Sequence, residues 1–208
     1  GLLDRSDYPA FRQAAFFGTY YYLFNNERPP FDDPRIRRAL AYAIDREQIV
    51  EYIAQAGQEP AYSFIPPGAG NYRPDYTFEP DIEKARQLLT AAGYPGGDGF
   101  PEVTITFNTS EGHRAIAEAI QQMWKTKLGI DVELMNQEWK VFLETMRQGD
   151  YQIARAAWVG GLDMAGYLDI FESESGNNNS NYASDAFDRL VARGSREPEP
   201  DRRIEIFQ

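Results

Sequence analysis

The chain has 208 residues, and its 21 Lys and Arg against 32 Asp and Glu give a formal net charge of −11. This acidity argues against a general nucleic-acid binder, because neutralising phosphates requires a basic face. Apolar residues make up 42% of the chain, which is enough for a buried core and argues against intrinsic disorder. No apolar run approaches the roughly 20 residues that a membrane-spanning helix needs.

The sequence lacks the residues that most enzyme mechanisms require. It has no cysteine and one histidine, which excludes thiolate nucleophiles, disulfides and cysteine-based zinc sites. It has no glycine-rich phosphate loop and no nucleophile elbow around a serine. We therefore expect no metal and no cofactor. A carboxylate pair acting in hydrolysis stays open, since 32 acidic residues are available.

The two ends of the sequence predict a fragment or a mature protein. Residues 1–10 lack the basic and apolar regions of a signal peptide. Residues 199–208 have the pattern of a helix without a C-terminal stop signal.

The first half of the chain predicts one strand, three helices and a long irregular loop. Asp33 followed by Pro34, and Asp45 with Gln48 three residues on, are typical of helix N-termini. Residues 57–80 are rich in Pro, Gly and aromatic residues and are predicted to be irregular. The predicted elements are a strand over 17–24 and helices over 35–43, from 45 to near 57, and over 81–92.

From residue 103 onward, strands and helices alternate. This order implies right-handed crossovers and a parallel sheet. A polar loop over 172–181 and a helix over 184–193, capped by Ser184, follow. The alternating elements are strands over 103–107, 130–135 and 151–158 and helices over 112–128 and 138–148.

Ligands of open parallel sheets bind beyond the carboxyl ends of the strands. This rule indicates Asn108 and His113 after the first strand and Trp139 after the second. It indicates Trp158 and Asp163 at the end of the third. His113 fits either a structural residue or a ligand contact, and both indoles fit either core packing or an aromatic wall facing a ligand.

Arg155 lies inside an apolar strand, where a charge must find a partner. An internal carboxylate such as Glu133 or Glu138 is one such partner. The carboxylate of a ligand is another, because the planar guanidinium binds carboxylates in a fork. The sequence leaves both interpretations open.

Three stretches carry a resemblance to a known family: PPFDDPRIRRALAYAIDREQIV (29–50), the segment from NTSEGHRAIAEA to YQIARAAW (108–158), and NNNSNYASDAFDRL (177–190). They resemble the extracellular solute-binding proteins that serve peptide-importing ABC transporters, including the oligopeptide-binding and murein-peptide-binding members. The resemblance implies an α/β fold, a type II periplasmic-binding-protein-like lobe with a mixed, partly parallel sheet flanked by helices. It also implies that residues 1–208 are one large ligand-binding lobe of a two-lobe protein, without the first lobe and the final C-terminal segment.

The function implied by the resemblance is binding, not catalysis. Two lobes close over an extended oligopeptide and deliver it to the permease subunits of an ABC transporter in the periplasm. The expected partners are thus an oligopeptide, the permease and the missing first lobe. A binder of modified murein peptides is the alternative in the same class, and a carboxylate-dependent hydrolase is the alternative in a different class.

The resemblance also assigns residues to the site. His113 and Arg155 match basic positions that meet peptide carboxylates, and Trp139 matches a pocket wall. Asn108 and one of Asn177 or Asn178 match polar pocket residues.

One departure from the family pattern matters for the site. The aspartate that binds the peptide α-amino group in the family is Gly161 here, and the nearest acid is Asp163. Asp163 either takes over this role or is an exposed or capping residue of a short helix near Met164.

Overall fold

A computed structural model describes residues 16–208 as a four-stranded sheet with helices on both faces. The N-terminal residues, for which the sequence predicts no signal peptide, lie outside the described part. The strands are β1 (Gly18–Phe24), β2 (Val103–Asn108), β3 (Val132–Gln137) and β4 (Ile153–Val159). Their order is β1-β4-β2-β3, with β1 antiparallel to β4 and β2 parallel to both β3 and β4. The predicted α/β class with a mixed, partly parallel sheet is confirmed.

Eight α-helices occur within residues 16–208, and none of them is long and apolar enough to cross a membrane. They are α1 (Pro34–Tyr42), α2 (Arg46–Ile49), α3 (Ile82–Ala91), α4 (Glu111–Leu128), α5 (Trp139–Gln148), α6 (Ala165–Leu168), α7 (Asp185–Arg196) and α8 (Pro200–Phe207).

The predicted helix N-caps are confirmed. The Asp33 carboxylate accepts from the Arg35 backbone N–H at 2.8 Å, and the Asp45 carboxylate accepts from that of Gln48 at 3.0 Å. The Ser184 hydroxyl accepts from the Phe187 N–H at 3.3 Å. Each cap satisfies one of the backbone donors that a helix N-terminus leaves unpaired.

Among the differences between the predicted and the observed bounds of the elements, two stand out. The helix expected from residue 45 to near 57 is α2 followed by a π-helical turn over Val50–Ala54. The strand expected over 130–135 is β3, which begins and ends two residues later. Gly129 ends α4 in the left-handed conformation, and Ile130 is buried before the ladder starts. Asn136 and Gln137 therefore lie in the strand and not in the loop after it.

The main core lies between the sheet and the layer formed by α1, α3 and α4. Its centre is Trp124 of α4, which is fully buried and whose indole N–H donates to the carbonyl of Leu40 at 2.9 Å. On the opposite face, Met146 of α5 packs against Leu23 and Ala154. A separate cluster around the buried Tyr167 joins α6 to α8. Because both faces are covered, the strand ends are the part of the sheet open to a ligand.

Candidate ligand-binding site

The carboxyl ends of β2, β3 and β4 meet at one edge of the sheet, and the beginning of β1 joins them there. β1 runs antiparallel to β4, so Gly18 lies opposite Val159 and Tyr22 lies opposite Arg155. The first residues of β1 thus lie beside the loops that a parallel sheet uses for ligand binding.

Arg155 of β4 has no internal ion pair within residues 16–208. Its Nε is buried without a hydrogen-bond partner in the described part of the chain. Glu133, one expected partner, is exposed and has Glu102 beside it, and this second acid raises the pKa of Glu133. Glu138, the other, accepts from the backbone N–H of Lys140 at 2.8 Å. The interpretation with Glu133 or Glu138 is therefore not supported, and the guanidinium remains available for an external carboxylate.

His113 lies in the first turn of α4 and contacts the same group. Its Nδ1 is 3.3 Å from the hydroxyl of Tyr20, and the two rings are 5.6 Å apart. The Arg155 guanidinium carbon lies 5.2 Å from the centre of the Tyr20 ring. Burial, and secondly the positive charge of Arg155, lower the pKa of His113. The structure thus brings His113 and Arg155 together, as expected, with Tyr20 between them.

Tyr20 and Tyr22 are site residues that the sequence analysis missed. Their rings are 6.0 Å apart, and the Tyr22 hydroxyl is buried with no partner among the described residues. Burial is the largest cause of the raised pKa of both phenols, so both remain neutral hydrogen-bond donors at neutral pH. The sequence did not indicate them, because a strand that precedes the βαβαβ segment gives no signal of which strand it pairs with. The antiparallel pairing of β1 with β4 brings them to the site.

Asn108 and Gln137 supply acceptors at the same edge. They lie opposite each other at the ends of β2 and β3. The side-chain oxygens of both are buried and unpaired within residues 16–208. Thr109 fastens these strand ends, since its hydroxyl donates to the Asn136 side chain at 2.9 Å or to the Gln137 carbonyl at 3.0 Å. The edge therefore offers donors on β1 and β4 and acceptors on β2 and β3.

The two predicted tryptophans have different environments. Trp139 is 49% exposed and stacks on Phe142 at 6.1 Å, so it presents an indole face to solvent rather than to the core. Trp158 is half-buried, packs with the Tyr167 cluster and donates from its indole N–H to the Gly166 carbonyl at 2.5 Å.

Asp163 follows β4 in the loop before α6. Its Oδ1 accepts from Nη2 of Arg203 at 2.7 Å and from the Ala165 backbone N–H at 3.2 Å. Its side chain remains 61% exposed. Gly161 has φ of +68° and open space where a Cβ would point. Asp163 is thus both exposed and a capping residue, and its second carboxylate oxygen makes no hydrogen bond within residues 16–208.

Asn177 and Asn178 lie in a loop that packs against the opposite edge of the sheet. The loop carbonyl of Ser180 accepts from the Asn26 backbone N–H at 2.8 Å, just past the end of β1. The Asn178 amide donates to the carbonyls of Glu172 at 3.1 Å and Tyr182 at 2.7 Å. The structure does not bring this loop to the cluster of His113 and Arg155.

No group of three or more metal-ligating side chains occurs within residues 16–208.

Comparison with known proteins identifies the family. Residues 3–179 match the family described as bacterial extracellular solute-binding proteins, family 5 Middle. The chain belongs to this family. The family description names solute-binding proteins, which agrees with the expected class of binding protein and offers no support for a hydrolase.

Relatives and solved structures of family 5 agree with this result. The periplasmic oligopeptide-binding protein OppA of Salmonella typhimurium is 38% identical over 196 residues, which are 91% of this chain and 36% of that protein. The unliganded open form of the murein tripeptide-binding protein MppA superimposes with a TM-score of 0.90 at 35% identity, over 99% of this chain and 41% of that one. The Haemophilus influenzae OppA complex with the peptide RPPGFSPFR gives a TM-score of 0.83 at 33% identity, over 92% of this chain and 39% of that one.

Two facts follow for this family 5 chain. The fold is confirmed as that of a periplasmic-binding-protein lobe of type II. The chain spans about two fifths or less of the length of the relatives that it matches.

Proposed function

We propose that this chain is the large ligand-binding lobe of the solute-binding component of a peptide ABC importer. In this proposal, two lobes close over an extended oligopeptide and deliver it to membrane permease subunits in the periplasm. The partial coverage of the relatives supports a two-lobe protein, and the periplasmic names of several relatives support the location.

The observation that carries the proposal is that Arg155 has no ion pair within residues 16–208. Its guanidinium has a buried nitrogen and pairs with no carboxylate within residues 16–208. Such a group is suited to bind an anionic group of a ligand. The nearby Tyr22 hydroxyl adds a second unpaired donor. The acceptors Asn108 and Gln137 fit the backbone N–H groups of a peptide, since an extended peptide offers both donors and acceptors.

The side-chain assignments belong to the same proposal. His113 and Arg155 meet the ligand carboxylate, and Asn108 contacts the ligand backbone. Trp139 presents a wall to a ligand side chain, because about half of its indole is exposed. Trp158 supports the loop after β4 through its bond to Gly166. Asn177 and Asn178 are left out of this contact set, because their loop lies at the opposite edge of the sheet.

A binder of murein peptides is the second candidate. It is favoured by the fit to MppA, at a TM-score of 0.90, and by the presence of Gly161 where the resemblance expects an amine-binding aspartate. Mass spectrometry of the ligand released from the purified full-length protein separates the two. Linear peptides of varied sequence support an oligopeptide importer, and peptides containing diaminopimelate support a murein-peptide binder. Release of ligands that are not peptides would contradict both.

A further inference from the structure

Tyr20, His113 and Arg155 form one contact set drawn from β1, α4 and β4. Tyr20 is its centre, since its hydroxyl faces Nδ1 of His113 at 3.3 Å and its ring lies 5.2 Å from the Arg155 guanidinium. A protonated His113 and Arg155 would repel each other here, because burial reduces the screening of their charges by water.

The direction of the Tyr20–His113 hydrogen bond depends on the charge of the imidazole. A neutral His113 with its ring proton on Nε2 accepts at Nδ1, so in this tautomer the phenol O–H of Tyr20 points at the ring. A protonated His113 donates from Nδ1, so the phenol oxygen accepts and its own O–H must turn elsewhere. Protonation of His113 thus releases the Tyr20 hydroxyl as a donor.

The groups that face His113 come from three elements. β4 presents Arg155, whose charge opposes protonation of the ring. β1 presents the neutral phenols of Tyr20 and, behind it, Tyr22. On α4, the charged residues nearest to His113 in sequence are the exposed Glu111 and Arg114, which carry opposite charges. Within residues 16–208, no carboxylate in the cluster offsets the charge of Arg155.

We propose that Tyr20, His113 and Arg155 form a proton-coupled receptor for the ligand carboxylate. The carboxylate pairs with Arg155, one proton from solvent binds Nδ1 of His113, and the Tyr20 O–H rotates from His113 to a carboxylate oxygen. The only bond formed is the N–H bond at Nδ1, with a proton that solvent supplies, and the ligand carboxylate then faces two cations, Arg155 and the protonated His113. This inference deepens the proposed function and rests on it.

The sign of the pH dependence follows from the linkage. In the ligand-free protein, burial and Arg155 hold the pKa of His113 below its usual value. A bound carboxylate offsets the charge of Arg155 and raises this pKa. At a pH between the pKa of His113 in the free protein and its higher pKa in the complex, binding therefore takes up a proton. The affinity rises as the pH falls through this range. A difference of one pKa unit corresponds to an affinity change of about tenfold.

The test uses the full-length protein and alanine peptides of three to five residues, each with a free or an amidated carboxyl end. Calorimetric titrations between pH 5.5 and 8.5, in two buffers of different ionisation enthalpy, measure the affinity and the protons taken up. We expect the free-carboxyl peptides to bind about tenfold more tightly at pH 5.5 than at pH 8 and to take up protons. The amidated peptides carry the same titrating amine, so any pH dependence from that amine appears in both series and cancels in the comparison.

Three variants separate binding from structure. His113→Gln is expected to remove the difference in pH dependence between the two peptide series. Tyr20→Phe keeps the ring against Arg155 and is expected to flatten the pH profile, whereas a purely structural role would lower the affinity equally at every pH. Tyr94→Phe is the matched control, since Tyr94 is half-buried beside Phe100, has no side-chain hydrogen bond within residues 16–208 and should leave the profile unchanged.

Two results would overturn the inference in different ways. If free-carboxyl and amidated peptides bind with the same pH profile, or if His113→Gln keeps the difference, the proton coupling is wrong while peptide binding stands. If no peptide of either series binds at any pH, both this inference and its basis in peptide binding are wrong.

Discussion

Oδ1 of Asp163 lies 2.7 Å from Nη2 of Arg203, a residue forty positions further along the chain. The pair ties the loop after β4 to α8, and it is the only ion pair of this loop within residues 16–208. It occupies one oxygen of a carboxylate that stands two residues from Gly161. The loop therefore carries a carboxylate that is held in place and still has one oxygen without a described partner.

Asp163→Asn tests whether this carboxylate binds the α-amino group of a peptide. We expect the variant to weaken binding of free-amino peptides more than tenfold, because an ammonium that loses water in a closed cleft needs an anionic partner. The affinity for N-acetylated peptides should not change. Arg203→Met should strengthen binding of free-amino peptides, since Arg203 competes for the same carboxylate. Equal losses for both peptide types in Asp163→Asn would show that Asp163 only supports the loop.

Arg155→Met tests the carboxylate contact in the full-length protein. Binding of free-carboxyl peptides should weaken by roughly 1.5–3 kcal/mol, the usual range for a charged hydrogen bond. The melting temperature without ligand should change little, because no ion pair of Arg155 exists within residues 16–208. Calorimetry and thermal denaturation measure the two quantities. The control is Arg86→Met, which removes an exposed arginine paired with Glu83 at 3.1 Å. A large fall in the melting temperature of Arg155→Met, without one in Arg86→Met, would show that Arg155 stabilises the fold instead of binding the ligand.

Gly160→Ala tests the packing of the loop that carries the site. A Cβ on Gly160 would lie 2.6 Å from the ring of Tyr167, which is fully buried. The Tyr167 hydroxyl donates to the carbonyl of Phe17 at 2.7 Å or of Gly161 at 3.0 Å, so the ring has little freedom to move. We expect a loss of about 1–3 kcal/mol in the free energy of unfolding, as for other overpacked positions.

Gly176→Ala is the matched control for this stability measurement. Gly176 has open space at the Cβ position and no left-handed φ, so denaturant unfolding of the variant should match that of the unmodified protein. A neutral result for Gly160→Ala would show that Tyr167 can repack.

The isolated chain of residues 1–208 tests the two-lobe proposal. The continuous core around Trp124 predicts that the chain folds alone. The cluster at the strand ends lies at an open edge, so a ligand there remains in contact with water on one side. We expect peptide binding to be weak or absent by calorimetry. Binding at micromolar affinity or tighter by residues 1–208 alone would contradict the need for a second lobe.

The sequence by itself determined the local structure. Asp33, Asp45 and Ser184 identified three helix N-termini, because capping depends on residues adjacent in the chain. The alternation of strands and helices after residue 103 determined the parallel pairing of β2, β3 and β4, because a right-handed crossover leaves few alternatives. The carboxyl-edge rule then predicted Asn108 and His113.

Only the tertiary structure decided how the site is assembled. The position of β1 beside β4, which adds Tyr20 and Tyr22, depends on a pairing across more than a hundred residues. The contact of Asp163 with Arg203 and the separation of Asn177 and Asn178 from the cluster depend on how α8 and a polar loop pack. Arg155 shows the difference most clearly: its apolar neighbours in sequence showed that it needs a partner, but the missing internal carboxylate is a property of three-dimensional packing, which neighbouring residues in the chain do not encode.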